Sequence, residues 1–252
     1  MKRVYLGNKE LTTIATVTNG GGGGDDTKKW VDYFNGTLTE FTVPEGVTKI
    51  RNCAFYACSS LTGITIPDGV TSIGDYAFYD CSNLTGITIP DGVTSIGSYT
   101  FSNCTSLTDI TIPDSVKFIG FGAFYNCSRL IDITIPDGVT YIAGSTFNGC
   151  TSLTGITIPD SVTSIGDSAF YDCSNLTGIT IPDGVTSIDY GAFYNSYNLR
   201  DMTVKATTPP TLGNNALPYE LKTIYVPASS VDAYKAASGW SSFADKIQAI
   251  PT

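Results

Sequence analysis

The sequence predicts an α/β solenoid. It is a right-handed, strand-rich coil with a parallel sheet on its concave face and short strands and helical turns on the other side. Three observations carry this. An Ile-Pro or Val-Pro dipeptide keeps one register, with Pro44, Pro67, Pro90, Pro113, Pro136, Pro159 and Pro182 each 23 residues apart. A fixed period of that size marks stacked coils, each too small to bury a core of its own. Apolar columns share the period; in the coil Leu61–Asn83 they are Leu61, Ile64, Ile66, Val70, Ile73 and Phe78. The two ends depart from the repeat, as solenoid caps must.

Taken in chain order, residues 1–24 are an extended arm ending in the five-glycine run Gly20 to Gly24, a flexible linker. Residues 25–37 are an N-terminal cap, in which Thr27 to Phe34 is expected to be a short helix covering the first coil with Trp30 and Phe34. The repeats occupy residues 38–227. Coils start at Leu38, Leu61, Leu84, Leu107, Leu130, Leu153, Leu176 and Leu199, the last one residue short, with a truncated ninth from Leu221. Within each coil, Leu61-x-x-Ile64-x-Ile66 puts Ile64 and Ile66 on one face of a strand and Thr65 on the other. Pro67-Asp68-Gly69 turns the chain, Pro fixing φ and Asp bonding locally. Val70-x-x-Ile73 reads as a second extended piece and Tyr76 to Tyr79 as one helical turn. Consecutive strands should lie parallel and in register, about 4.8 Å apart, so that nine coils make a sheet about 40 Å across. Residues 228–252 are the C-terminal cap, with a capped helix from Ser230 to Lys235 followed by Trp240 and Phe243.

The columns L-x-x-I-x-I-P-x-x-V-x-x-I-x-x-x-A-F-x-x-C resemble the BspA-like leucine-rich repeats over residues 38 to about 227. The stretch from Tyr225 to Tyr234 is similar to the terminal cap of such proteins. The resemblance implies a leucine-rich-repeat solenoid, a non-enzymatic protein-binding or adhesion role, and a bacterial extracellular or cell-surface location. No signal peptide is visible in this chain: Met1 to Asn8 holds basic residues without an apolar stretch after them. The opening with Val4-Tyr5-Leu6-Gly7 and its glycine linker is more weakly similar to prophage-encoded repeat proteins, which implies a structural or receptor-binding component of a larger assembly such as a virion.

Composition narrows the partner. The net charge is −9, and a phosphate lattice needs a basic face, so the expected partner is a protein or cell-surface ligand and not nucleic acid. The sequence lacks an apolar run long enough to span a bilayer, so membrane insertion is not expected. Without histidine there is no histidine base, the glycine run lacks the Gly-Lys-Ser/Thr of a phosphate loop, and neither enzyme activity nor a cofactor is expected.

Three repeated columns could be mistaken for chemistry. Cys58, Cys81, Cys104, Cys127, Cys150 and Cys173 recur every 23 residues. Parallel side chains about 4.8 Å apart exceed the 3.5–4.5 Å Cβ separation of a disulfide, and zinc is disfavoured without His or C-x-x-C. These are expected to be buried free thiols bonding a turn carbonyl. Asp68, Asp91, Asp114, Asp137, Asp160 and Asp183, extended by Glu45, read as turn residues after Pro and not as a calcium ladder. Like charges about 5 Å apart in water repel by only about 0.8 kcal/mol. Thr42, Thr65, Thr88, Thr111, Thr134, Thr157, Thr180 and Thr203 form an outward ladder that suits a wet strand face.

The informative feature is where the repeat breaks. The coils from Leu107 and Leu130 carry Lys117, Phe118, Phe121, Arg129, Ile131 and Tyr141 in place of small residues, and their strands carry Asp109 and Asp132 where others have Gly. Phe118 and Tyr141 share a column in adjacent coils and should touch. Exposed aromatics beside charges fit a binding patch, so Asp109, Lys117, Phe118, Phe121, Arg129, Asp132 and Tyr141 are the candidate partner-binding residues. Because the Asp column is read as turn chemistry, the melting temperature should be unchanged by excess chelator; a fall of several degrees in a thermal scan would show a bound cation.

Overall fold

A computed structural model describes residues 4–6, 9–11 and 38–251. The expected cap helix over Thr27 to Phe34, and the glycine linker, lie outside the described residues. In the arm, Val4–Leu6 and Lys9–Leu11 form an antiparallel pair, with Val4 opposite Leu11 and Leu6 opposite Lys9.

From Leu38 the chain winds into parallel coils, most of which donate two short strands. The main strands are Glu40–Thr42, Gly63–Thr65, Gly86–Thr88, Asp109–Thr111, Gly178–Ile181, Asp201–Val204 and Thr223–Val226. The second strands are Lys49–Ile50, Ser72–Ile73, Ser95–Ile96, Phe118–Ile119, Ser164–Ile165, Ser187–Ile188 and Thr211–Leu212. Pairing follows the sequence period: Phe41 lies opposite Ile64, Ile87 opposite Ile110, and Ile73 opposite Ile96. Between the two strands the Pro-x-x-Val turn closes with Val70 N–H donating to the Pro67 carbonyl at 3.1 Å.

The six predicted columns form the core, joined by Ala77 and Cys81. Ile64 and Ile156 are exceptions, only partly buried although Ile87, Ile110, Ile133 and Ile179 of the same column are buried. At the centre, Phe55, Phe78, Phe101, Phe124, Phe147, Phe170 and Phe193 stack ring on ring, with centroids 5.1–5.6 Å apart and planes within 15°. Each ring is fully buried, and such pairs add about 0.5–1.5 kcal/mol beyond the area they bury.

The cysteine column behaves as expected. The Cys81 thiol donates to the Phe55 carbonyl at 3.1 Å, and Cys104, Cys127, Cys150 and Cys173 repeat the bond to Phe78, Phe101, Phe124 and Phe147 at 3.1–3.2 Å. Where the column ends, the Ser196 hydroxyl makes the same bond to Phe170 at 2.8 Å. The thiol therefore acts both as a small apolar filler and as the donor that satisfies a buried carbonyl.

Three features differ from the sequence reading. The segment Asp75 to Asp80 is not helical. Ala77, Tyr79 and Cys81 donate back three residues, to Gly74, Tyr76 and Phe78, while the alternating N–H groups of Tyr76, Phe78 and Asp80 donate to Ser98, Thr100 and Ser102 of the next coil. That alternation requires left-handed backbone at two positions per coil. One column holds Cys53, Tyr76, Tyr99, Ser145, Ser168 and Asn215, the other Ala57, Asp80, Asn103, Asn126, Asp172 and Asn195, all with φ of 53–62°. A helix turns every N–H inward along its own axis; here half of them are used to join coils.

Second, the sheets are interrupted. The second ladder runs from Lys49–Ile50 to Phe118–Ile119 and resumes with the bridge between Ile142 and Ile165. The main ladder pairs Glu40–Thr42 with Gly63–Thr65 and Gly86–Thr88 with Asp109–Thr111. Between these two pairs the coils are joined by the Thr85 N–H bond to the Thr62 carbonyl at 3.3 Å and not by strand pairing. Between Asp109–Thr111 and Gly178–Ile181 the ladder is reduced to the single bridge of Thr134 with Thr157. Strands of two or three residues have few bonds to lose, so a small displacement ends the ladder. Third, the short eighth coil is not a simple deletion. Ser187 pairs with Thr211, 24 positions on, whereas Asp201 pairs with Thr223, 22 positions on. One residue is inserted before the second strand and two are removed after it.

The C-terminal cap closes the stack. The helix Val231–Ala236 carries Tyr234 and the 3-10 turn Trp240–Phe243 carries Trp240, both fully buried and packed edge to face at 5.0 Å. The Tyr234 hydroxyl donates to the Ala206 carbonyl at 2.8 Å and the Trp240 indole N–H to that of Pro210 at 2.7 Å. Ser230 precedes the helix, but its side chain makes no capping hydrogen bond. An added strand, Ile247–Ala249, extends the main sheet beyond Thr223–Val226.

Burial raises the cysteine thiols, Cys58 to about 11 and Cys150 to about 12 from the ordinary 9.0. A raised folded-state value means the neutral thiols contribute stability that is fully present below about pH 9 and is lost as pH rises through 11 to 12. Alkaline unfolding should therefore be less steep in a Cys58→Ser/Cys150→Ser variant than in the parent. The six column thiols should react with a thiol reagent only after denaturation; rapid reaction in the native state would contradict the packing.

Candidate functional site

The irregular coils place their large side chains on two flanks. Phe118 and Tyr141 occupy the column held by Ser72, Ser95, Ser164 and Ser187 elsewhere. Their rings meet edge to face with centroids 6.1 Å apart, and they are 40% and 37% exposed. The contact expected from their shared column is present. This pair sits where the second ladder is interrupted, so two bulky outward residues coincide with the loss of regular pairing.

Phe121 belongs to a different feature. It is 43% exposed and closes a run of aromatic contacts in which Tyr56 stacks on Tyr79 at 4.9 Å, Tyr79 meets Tyr76 at 5.7 Å, Tyr76 stacks on Tyr99 at 5.2 Å, and Tyr99 meets Phe121 at 5.4 Å. Glycines in the following coil make room for it. A Cβ on Gly122 would lie 2.6 Å from the Tyr99 ring, and one on Gly144 would lie 2.8 Å from the Phe121 ring. The Lys117 side chain lies likewise over Gly138, its ammonium donating to the Asp114 carbonyl at 2.9 Å. For Tyr99 with Gly122 and Phe121 with Gly144 the sequence signal is a large residue followed one period later by glycine, whereas Gly138 follows Lys117 by 21 positions.

The remaining candidates are elsewhere. Asp109 opens a main strand and Asp132 holds the equivalent place one coil on, so both face out from the main sheet. Arg129 is exposed in the loop leading to that sheet. The seven predicted residues thus do not converge on one patch: Lys117, Phe118 and Tyr141 mark the second-ladder flank, Phe121 ends the tyrosine run, and Asp109 and Asp132 belong to the main-sheet face with Arg129 at its border.

That face, the concave strand surface that the sequence offers as the alternative to the aromatic patch for binding, carries a local hollow. A depression of about 680 Å³ lies over four consecutive main strands, lined by Glu40–Thr42, Gly63–Thr65, Gly86–Thr88 and Asp109–Thr111. A hollow over four strands makes the sheet concave there. Among the described residues no three His, Cys, Asp or Glu side chains are grouped to hold a metal ion, and no helix is long and apolar enough to cross a membrane.

A family model described as the BspA type leucine rich repeat region matches residues 32–154 and 140–237 in six copies. Among solved structures the chain is similar to a leucine rich cell surface protein from Faecalibacterium prausnitzii, with 33% identity over 78% of this chain and 65% of that one and a TM-score of 0.64. A leucine-rich repeat protein from Bacteroides ovatus is 26% identical over 84% of this chain and 66% of that one, TM-score 0.55. The T. pallidum leucine rich repeat protein is 25% identical over 86% and 88%, TM-score 0.50. This chain thus spans just under two thirds of the length of the first two. A comparison with curated proteins finds no match.

If Phe118 and Tyr141 are surface residues with no packing duty, returning both to the serine of the neighbouring coils should change stability by less than about 1 kcal/mol. A thermal melt of Phe118→Ser/Tyr141→Ser should then stay within a few degrees of the parent; a large loss would assign them to the core.

Proposed function

This chain belongs to the BspA-type leucine-rich repeat family, and from that premise we propose that it is a non-enzymatic binding module that displays its repeat surface to a protein or cell-surface partner outside the cell. Support for the location comes from the similar Faecalibacterium protein, which is described as a cell surface protein. One observation carries the assignment to a surface. Phe118 and Tyr141 are outward, mutually packed aromatics in a column whose other members are polar, Lys49, Ser72, Ser95, Ser164, Ser187 and Thr211, and they stand beside the exposed Lys117. Aromatic side chains anchored among polar neighbours are where binding energy concentrates, because they bury large area at little rotamer cost. The solenoid core gains nothing from them: the serine coils on either side pack the same isoleucines and phenylalanines without them.

A rigid array of this kind suits recognition over catalysis. Its carboxylates are spread along ladders from coil to coil, and the chain has no histidine. The candidate residues Asp109, Asp132 and Arg129 lie on the concave side and provide a second, polar contact region for the same partner.

The test is capture of proteins from a cell-surface extract by the parent and by Phe118→Ser/Tyr141→Ser. A saturable partner held by the parent and lost at least tenfold by the variant is the expected result, since truncation of a binding hot spot costs about 2 kcal/mol or more. Equal capture by the two proteins would remove the aromatic flank as the site. No saturable partner at all would remove the binding-module reading.

A further inference from the structure

The outward column that opens each main strand reads Glu40, Gly63, Gly86, Asp109 across four adjacent strands. Its next four members are Asp132, Gly155, Gly178, Asp201, the same order of acid, glycine, glycine, acid. The fold does not call for these glycines. None has the positive φ that favours glycine; a Cβ at Gly63 or Gly155 would meet nothing within 4 Å, and one at Gly86 or Gly178 would only touch a carbonyl oxygen at 3.7 Å. Glycine in a strand weakens it relative to alanine. Its consequence here is to clear the floor of the depression of about 680 Å³ between Glu40 and Asp109. The exposed hydroxyls of Thr42, Thr65, Thr88 and Thr111 run along one side.

The dimensions select an occupant. Three strand steps of about 4.8 Å separate the Glu40 and Asp109 backbones by about 14 Å. An extended peptide laid along the column rises about 3.4 Å per residue and presents alternate side chains to the floor, so its residues i and i+4 are also about 14 Å apart and on the same face. Residue i+2 then falls midway, over Gly63 and Gly86. The surroundings favour a cation: the four coils that line the trough, residues 38–129, hold Glu40, Glu45 and six Asp against Lys49, Arg51, Lys117 and Arg129, a net negative field that draws basic ligands.

We propose that the trough over the first four main strands binds an extended basic segment of a protein partner, with Lys or Arg at positions i and i+4 paired to Glu40 and Asp109 and a residue at i+2 seated on Gly63 and Gly86. The proposal rests on the reading of the chain as a protein-binding module and names the chemistry of its ligand.

Calorimetric titration of the full chain with a peptide of alternating threonine, carrying lysines at i and i+4, tests it. The expected result is saturable binding that weakens at least tenfold when the second lysine is moved to i+3, which turns it to the opposite face. In Gly63→Thr/Gly86→Thr, whose added side chains enter open space, the stoichiometry should fall by one peptide per chain while the melting temperature holds. Glu40→Gln/Asp109→Asn should weaken the same site. Absence of binding to the parent, equal affinity for the i+3 peptide, or unchanged stoichiometry in the filled variant would each overturn the proposal. Those failures leave the aromatic-flank reading standing if capture still depends on Phe118 and Tyr141; loss of that dependence alone would leave the trough standing.

Discussion

The stack of phenylalanines from Phe55 to Phe193 sets the terms for everything around it. Ring centroids 5.1–5.6 Å apart follow the spacing at which one coil succeeds the next, close to the roughly 4.7–4.9 Å of a hydrogen-bonded strand pair. A ring repeat and a strand repeat of nearly equal size are satisfied together when successive coils trace the same path. The 23-residue period is the covalent expression of that match. The eighth coil shows that the path matters more than the residue count. Its inserted residue and its two removed residues lie in separate connections, and the strands between them still pair parallel with the seventh coil and the ninth.

Close stacking makes each coil the hydrogen-bonding partner of the next, and this explains the polar residues as well as the apolar ones. Alternate N–H groups around Tyr76, Phe78 and Asp80 leave their own turn to bond the following coil, and the thiols of the cysteine column reach back to the phenylalanine carbonyls of the preceding one. Cysteine is thus a structural donor here, interchangeable with the serine at position 196. With nearly every inward position committed, variation is confined to outward columns. The aromatic pair Phe118–Tyr141 and the alternation of acid and glycine along the main sheet both lie in such columns, so surface chemistry can vary without cost to the core.

Large side chains on this surface need room along the stack as well as away from it. Tyr99, Lys117 and Phe121 each lean over a glycine of the next coil, and the ladder is interrupted beside Phe118 and Tyr141. The breaks in the repeat are therefore coordinated between neighbouring coils, and the longest interruption of strand pairing falls where the sequence is least regular, while a shorter one separates Gly63–Thr65 from Gly86–Thr88 in regular coils.

The sequence by itself determined the period, the six apolar columns, the Pro turn, the buried thiols and the contact of Phe118 with Tyr141, because each follows from residue type at fixed spacing along one column. It did not reveal the left-handed positions: in one column Cys53, Tyr76, Tyr99, Ser145 and Ser168 have no such preference and their backbone follows the hydrogen bonds to a neighbouring coil, while the other column, Asp80, Asn103, Asn126, Gly149, Asp172 and Asn195, holds the types that tolerate this conformation. It predicted a helical turn where local propensity was the only guide, and the coil-to-coil bonds overrode that propensity. The grouping of candidate residues was also decided by tertiary structure: Asp109 and Phe118 lie in one coil of the sequence but on different sheets, since a turn at Pro113 separates them. The trough between Glu40 and Asp109 needed the folded stack as well, because its ends come from coils 69 residues apart that only the winding of the chain brings to one face.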